Sequence, residues 1–117
     1  MNVLDLIIKK KHAREIAAKM KIREYRNFND FYIRRLCEIE KAPDGVYEAV
    51  GCKQFDQIRF HDYNNSFEVI CKLKDLYIFL TDEQFACEFA DEVETVAGID
   101  LFCIELGDIV SVKGIDV

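Results

Sequence analysis

The sequence predicts an α+β domain with N-terminal helices, an antiparallel β-meander of about four to six strands, and one capped helix near the C-terminus covering the sheet. Three observations carry this expectation. Ile58–Tyr63 and Ser66–Leu73 alternate apolar and polar residues on either side of Asn64-Asn65. Thr81-Asp82-Glu83-Gln84 is a capping-box sequence, and apolar residues recur behind it at helical spacing from Phe85 to Ala97. The N-terminal stretch up to Met20 carries apolar stripes whose spacing suits helices.

Val3, Leu4, Ile7 and Ile8 make one such stripe, and Ala13, Ile16, Ala17 and Met20 make another. The two are rotated by roughly 150° at 100° per residue, which predicts two segments, 3–10 and 12–22, with one long helix as the alternative. Phe28, Phe31, Tyr32, Leu36 and Ile39 predict a helix over 29–40 with Asn27 or Asn29 as N-cap. Alternation through Phe31, Ile33, Cys37 and Ile39 leaves a strand as the alternative there. Pro43-Asp44-Gly45 reads as a turn, and residues 46–50 as a short strand.

In the central hairpin a two-residue Asn64-Asn65 turn sets Phe60 opposite Val69, Ile58 opposite Cys71 and His61 opposite Glu68. That register gathers Ile58, Phe60, Phe67, Val69, Cys71 and Leu73 on one face. Lys74-Asp75 offers a second tight turn into residues 76–80, whose apolar run predicts a central strand buried on both faces. Thr81 is the expected N-cap of a helix over 82–97, with Gly98 at its end. Residues 99–106 read as a strand, Gly107-Asp108 as a turn, and 109–112 as a last strand.

With 117 residues, 50% hydrophobic content and nine phenylalanines, the chain can build one core without disulfide or metal staples. The expectation is a single domain, residues 1–41 being a basic helical part and 42–117 an acidic sheet-and-helix part. Residues 1–41 hold 11 Lys+Arg against 6 Asp+Glu, and the remainder holds 5 against 16. No apolar run is as long as a membrane span, and Val3–Ile8 precedes the lysines, the reverse of a signal peptide. A cytoplasmic setting without membrane partners is expected. The five cysteines contain no Cys-x-x-Cys pair, so a zinc ribbon or thioredoxin-type site is not expected, and they read as reduced packing residues.

No nucleophile elbow, phosphate loop or His-Glu-x-x-His sequence is present, so neither cofactor nor metal is expected. Between Lys74 and Lys113 stand ten carboxylates and no lysine or arginine. On the predicted 82–97 helix, Glu88, Asp91, Glu92 and Glu94 form an acidic ridge without the i,i+4 lysines that usually accompany a merely soluble face.

The reading this favours is a non-enzymatic protein-binding module. It would act as an acidic inhibitor or antagonist, of the kind mobile elements carry, mimicking nucleic acid on the basic surface of a nucleic-acid-handling protein. One alternative is a nucleic-acid-binding regulator using Lys9, Lys10, Lys11, Arg14, Lys19, Lys21, Arg23 and Arg26. Glu15–Ile22 has the cadence of a helix-turn-helix, but Asn27 and Asp30 stand where that motif needs apolar anchors. The other alternative is a small enzyme or ligand binder centred on His61, with Cys52, Asp62 or Glu68 as its partners. Homo-oligomerisation is compatible with all three.

Overall fold

The computed structural model describes residues 1–88 and 97–116. Of these, 49% lie in strands and 19% in helices, so sheet dominates and the expected helix-covered meander is overturned. The described elements in chain order are β1 (Val3–Ile7), α1 (Lys10–Ala17), β2 (Arg23–Asn27), α2 (Asp30–Leu36), β3 (Cys37–Lys41), β4 (Tyr47–Cys52), β5 (Gln57–His61), β6 (Glu68–Leu80), α3 (Glu83–Glu88) and β7 (Asp100–Lys113). Five strands form one sheet in the order β1-β5-β6-β7-β2, and β3 pairs with β4 in a separate two-stranded sheet. The chain divides into two compact units. The first comprises Met1–Glu24, Gln54–Asp75 and Ile104–Val117, and the second Tyr25–Lys53 and Leu76–Cys103.

The first unit is built on the β5–β6 pair. Ile58 lies opposite Cys71, Phe60 opposite Val69 and His61 opposite Glu68 in antiparallel register, as the alternation of the two runs predicts. All four apolar members of these pairs are fully buried. The connection is not the expected two-residue turn. The ladder stops at His61 and Glu68, and Asp62 organises the loop between them. Its carboxylate accepts hydrogen bonds from the Ser66 backbone N–H at 2.7 Å and from the Ser66 hydroxyl, while Asn65 takes a left-handed φ of 53°. The Ser66 hydroxyl, followed by backbone donors, holds the Asp62 carboxyl below its ordinary range. The contribution to stability is therefore present above the usual carboxylate pKa and is lost as pH falls through the lowered value.

On the other side of β5 lies β1, and here the helix expected over 3–10 is replaced by a strand. β1 runs parallel to β5, with Leu4 opposite Ile58, Asp5 opposite Arg59 and Leu6 opposite Phe60. The residues that suggested a helical stripe also alternate: Leu4, Leu6 and Ile8 are buried, while Val3 and Asp5 are exposed. A six-residue apolar run is too short to be a stable helix by itself, whereas β5 supplies a row of backbone partners. The Ile8 amide extends the ladder to the His61 carbonyl at 2.9 Å.

α1 keeps the second predicted stripe in shortened form. Ala13, Ile16 and Ala17 are its buried residues, but Met20 lies beyond the helix and is 80% exposed. Lys9, at the N-cap, makes no side-chain cap, and Lys10 and Lys11 stand in the first turn, where cations oppose the helix dipole. The helix closes in a Schellman motif. The Lys19 amide donates to the Ile16 carbonyl at 3.0 Å and the Met20 amide to the Glu15 carbonyl at 2.9 Å, with Lys19 at φ 60° in the position that usually holds glycine.

The second unit has an aromatic core. Tyr25, Leu101 and Cys103 are buried with Tyr77, Phe79 and Phe85 packed against them. The Phe85 ring meets Tyr25 and Phe79 edge-on, each at a centroid distance of 5.0 Å. Asn29 caps α2, its side chain accepting from the Tyr32 amide at 3.0 Å. The helix expected over 29–40 ends at Leu36, where Cys37 turns extended and β3 begins. Pro43-Asp44-Gly45 makes the expected turn: Gly45 has φ 87°, and the Val46 amide donates to the Asp44 carboxylate at 3.0 Å.

Two further expectations fail for one reason. Lys74-Asp75 is no turn, because β6 continues through it, and Gly107-Asp108 is no turn, because β7 does the same. Adjacent strands offer continuous backbone partners that outweigh weak local turn preferences. Gly107 is needed for close approach instead: a Cβ there would lie 3.2 Å from the Lys72 carbonyl oxygen. The Leu76–Leu80 half of β6 is not buried on both faces, since Ile78 and Leu80 are exposed. Thr81 is not the N-cap of α3 either. Its amide and hydroxyl both donate to the Ile99 carbonyl, at 2.9 and 3.0 Å, and Asp82 caps α3 by accepting from the Phe85 amide at 2.7 Å. No residue of α3 is buried, and the rest of the helix expected over 82–97 falls largely on 89–96, outside the described residues.

Phe60→Ala is expected to lower stability by about 3–5 kcal/mol in urea titration, whereas Tyr63→Ala, at an 86% exposed site, should change it by less than about 0.5 kcal/mol. Gly114→Ala should also be clearly destabilising, because Gly114 has φ 72° and an added Cβ would overlap the Ser66 carbonyl oxygen. A neutral result at Phe60 or Gly114 would contradict the packing described for the first unit.

Candidate functional site

The β3–β4 hairpin belongs to the second unit. Strand alternation sends Ile39, Lys41, Tyr47 and Ala49 to one face, through the pairs Ile39–Ala49 and Lys41–Tyr47. Glu38, Glu40 and Glu48 take the other face, and Glu40 stands directly opposite Glu48. A bulge between Glu38 and Ile39 interrupts the register next to Val50. Both faces are open: Tyr47 is 69% exposed, Val46 56% and Val50 53%. Opposed like charges destabilise a strand pair, and a two-stranded sheet alone is marginal in water. Among the described residues no cation pairs with these three glutamates, and Lys41 lies on the other face.

At the base of the hairpin Cys37 and Cys52 are register partners. Both are free thiols. The Lys53 amide donates to the Leu36 carbonyl at 2.8 Å, and the Lys53 ammonium to the Arg34 carbonyl at 3.3 Å, tying the base to α2. Burial raises the pKa of Cys37 above the ordinary thiol value, partly offset by its hydrogen bond with Cys52 and by the nearby Lys53 charge. In the sequence Cys37 and Cys52 are fifteen residues apart and read as packing residues. Only the register brings them together.

Of the predicted acidic ridge, Glu88 is exposed at the end of α3 and accepts a hydrogen bond from the Gln84 side chain at 3.0 Å. Asp91, Glu92 and Glu94 lie outside the described residues.

The basic residues do not form one cluster. Lys9, Lys10, Lys11 and Arg14 are exposed around α1. Arg23 pairs with Glu105 at 3.5 Å. Arg26 belongs to the second unit, where it donates to the Tyr32 hydroxyl at 2.9 Å and lies over that ring at 5.6 Å. Lys19, Lys21, Lys72 and Lys74 are among the residues that line a cleft of about 600 Å³ in the first unit, but the Lys21 ammonium is buried and Lys72 lies on the opposite face of β6 from Cys71. In the sequence Lys72 and Lys74 stand at an expected strand end, whereas β6 runs on through them.

His61 is half-buried and sits in register with Glu68, yet Glu68 is engaged elsewhere. It accepts from Arg59 Nε, while the same guanidinium donates to Asp5 at 2.9 Å and to the Asn65 side chain at 2.7 Å. These carboxylates, Glu68 first, hold Arg59 protonated beyond its ordinary value. His61 Nε2 is 3.6 Å from Asp5, and Nδ1 lies 2.8 Å from the Asp62 carbonyl. The arrangement clamps three chain segments together, and the imidazole stands at its margin. Cys52, its nearest cysteine in sequence, belongs to the other unit. Among the described residues no group of three or more His, Cys, Asp or Glu is placed to hold a metal ion. None of the described helices is long and apolar enough to cross a membrane.

Comparison of the chain with protein-family models, with curated proteins and with solved structures returned no match.

The thiols should differ sharply in reactivity. Burial pushes Cys71 up to about 11, so it stays protonated and unreactive at pH 8, while Cys87 is exposed. Iodoacetamide under native conditions should label Cys87 first and Cys71 only after denaturation, as read by peptide mass spectrometry. Equal native labelling would contradict the burial of Cys71.

Proposed function

We propose that this chain is a non-enzymatic protein-binding module whose β3–β4 hairpin engages a partner protein with a basic surface. One observation carries the reading: three glutamates that no cation neutralises among the described residues share one hairpin face, and the other presents exposed Ile39 and Tyr47. A partner with a cationic rim and an apolar patch would relieve the Glu40–Glu48 repulsion and cover the apolar face. Phe31 on α2, 60% exposed, adds an aromatic anchor within the same unit. Among the described residues no third strand joins β3 and β4, so an extended segment of a partner could add to this sheet.

Proteins that handle nucleic acid own the largest basic surfaces, because they must hold phosphates. An acidic antagonist of such a protein remains the partner class this chemistry favours, with Glu88 as an additional contact. A reducing, cytoplasmic setting accords with Cys37 and Cys52 facing each other as thiols.

The test starts with capture of a partner by the full chain and continues with association rates measured at two salt concentrations. Glu38→Lys, Glu40→Lys and Glu48→Lys together should slow association by about tenfold or more at low salt, with a smaller loss at high salt. Tyr47→Asp should instead speed dissociation. Retention of the wild-type on-rate by the triple reversal would remove the hairpin as the docking surface.

A further inference from the structure

Cys37 and Cys52 take no part in the docking surface above, yet they close the hairpin that carries it. They stand directly opposite each other at the base of the β3–β4 ladder, fifteen residues apart in sequence. The ladder also fixes which kind of pair they are. One position further out, the Lys53 amide donates to the Leu36 carbonyl at 2.8 Å. Hydrogen-bonding positions alternate along an antiparallel pair, so Cys37 and Cys52 form a non-hydrogen-bonded pair. Side chains of such a pair share one face of the sheet and approach most closely, with Cα atoms about 4.5 Å apart. That separation lies inside the range a disulfide spans, at its short end, so the bond can close without backbone movement. The two thiols already meet, hydrogen-bonded to each other.

The two differ in access. Cys52 is half-buried, whereas Cys37 is 1% exposed. An accessible thiol suits the first attack on a reagent from solution, and an enclosed one suits the second, which is intramolecular. Burial raises the Cys37 pKa, but the Cys52 thiol and the Lys53 charge pull it back and favour the thiolate that the second step needs. The other three cysteines lie elsewhere. Cys71 faces Ile58 across its own ladder, Cys103 is buried in the aromatic core, and Cys87 is exposed on α3.

We propose that Cys37 and Cys52 are a reversible dithiol–disulfide couple, oxidised by a low-molecular-weight disulfide such as glutathione disulfide, that fastens the hairpin at its base. Cys52 loses its proton, and its thiolate attacks one sulfur of glutathione disulfide. A protein–glutathione S–S bond forms as the glutathione S–S bond breaks and releases one glutathione thiolate. Cys37 then loses its proton and attacks the Cys52 sulfur, forming the cross-strand bond and expelling the second glutathione thiolate. The two thiolates take up the two protons. The protein thus gives up two electrons and two protons, and one glutathione disulfide becomes two glutathione thiols. A bridge at the short end of the allowed separation is easier to reduce than a relaxed one, which makes the step reversible. Glu40 opposite Glu48 weakens the ladder, and a covalent link at its base limits how far the strands can part. Any effect on partner docking rests on the function proposed above; the couple itself does not.

The test equilibrates the full chain with glutathione buffers of increasing oxidised fraction, quenches with acid, alkylates the remaining thiols and maps the peptides by mass spectrometry. Peptides joined through Cys37 and Cys52 should accumulate to at least about tenfold above any other cysteine pair. The circular dichroism spectrum should stay unchanged, and the bridge should open again in excess reduced glutathione. Cys37→Ala removes the resolving thiol and should leave a stable glutathione adduct on Cys52. Cys52→Ser should leave the enclosed Cys37 reduced throughout, and Cys87→Ser should leave the oxidation midpoint of the pair where it was. Trypsin cleavage after exposed Lys41 should be at least about threefold slower in the oxidised chain. Absence of the linked peptides from the folded wild type at the most oxidising ratio would overturn the proposal, whether or not Cys37→Ala folds. So would a lasting glutathione adduct on Cys52 with Cys37 present, a bridge that reduced glutathione does not open, or equal cleavage of the two forms. None of these measurements involves a partner, so the docking surface is judged separately by its own on-rates.

Discussion

The first unit depends on the register of β5 against β6. Phe60 opposite Val69 and Ile58 opposite Cys71 place one set of side chains in the core, and the same register turns Arg59, His61 and Glu68 to the other face. A slip of one residue would exchange the two sets and bury a guanidinium, which is why the register is strongly specified. β1 reads the same pattern from the far side of β5. Its Leu4 and Leu6 meet Ile58 and Phe60, and its Asp5 meets Arg59. Core face and polar face therefore agree independently on where β1 belongs. Arg59 joins the result, bonding to β1, to β6 and to the loop between β5 and β6 through Asp5, Glu68 and Asn65.

Against that consistency, the departures from local stability are informative. Glu40 faces Glu48 across a two-stranded ladder. Lysines crowd the N-terminus of α1, and Lys19 takes the glycine position at its C-terminal end. Each feature costs a fraction of a kcal/mol to about 1 kcal/mol by general measure, offset at Lys19 by the hydrogen bonds of the Schellman motif. Conflicts of this sort concentrate where a chain meets something other than itself. The acidic face of the hairpin in the second unit rests on one of them. Net charge alone shows only a basic third followed by an acidic remainder. The fold redistributes these charges: Arg23 is drawn into a pair with Glu105, Arg26 is set over Tyr32, and Lys21 is buried.

Much of the local structure was legible. Period-two alternation identified the β5–β6 register to the residue, Asn29 was a recognisable cap, and Pro43-Asp44-Gly45 a recognisable turn, because each rests on chemistry within a few residues. The candidate sites were less legible. Glu38 and Glu40 of the hairpin were hidden behind an expected helix that stopped at Leu36, whereas Glu48 fell on an expected strand.

What the sequence by itself determined is therefore the set of side chains that must be buried together around β5 and β6, and the short-range caps and turns. What only the tertiary structure decided is the state of segments whose pattern fits two periods. Val3–Ile8 satisfies both helix and strand, and the parallel partner that settles it lies more than fifty residues away. Lys74-Asp75 and Gly107-Asp108 resemble turns, yet they run straight inside β6 and β7. Turn propensity is worth tenths of a kcal/mol, whereas an unpaired backbone group beside a neighbouring strand costs one or more. Long-range hydrogen bonding wins that comparison, and no local reading of the chain contains it.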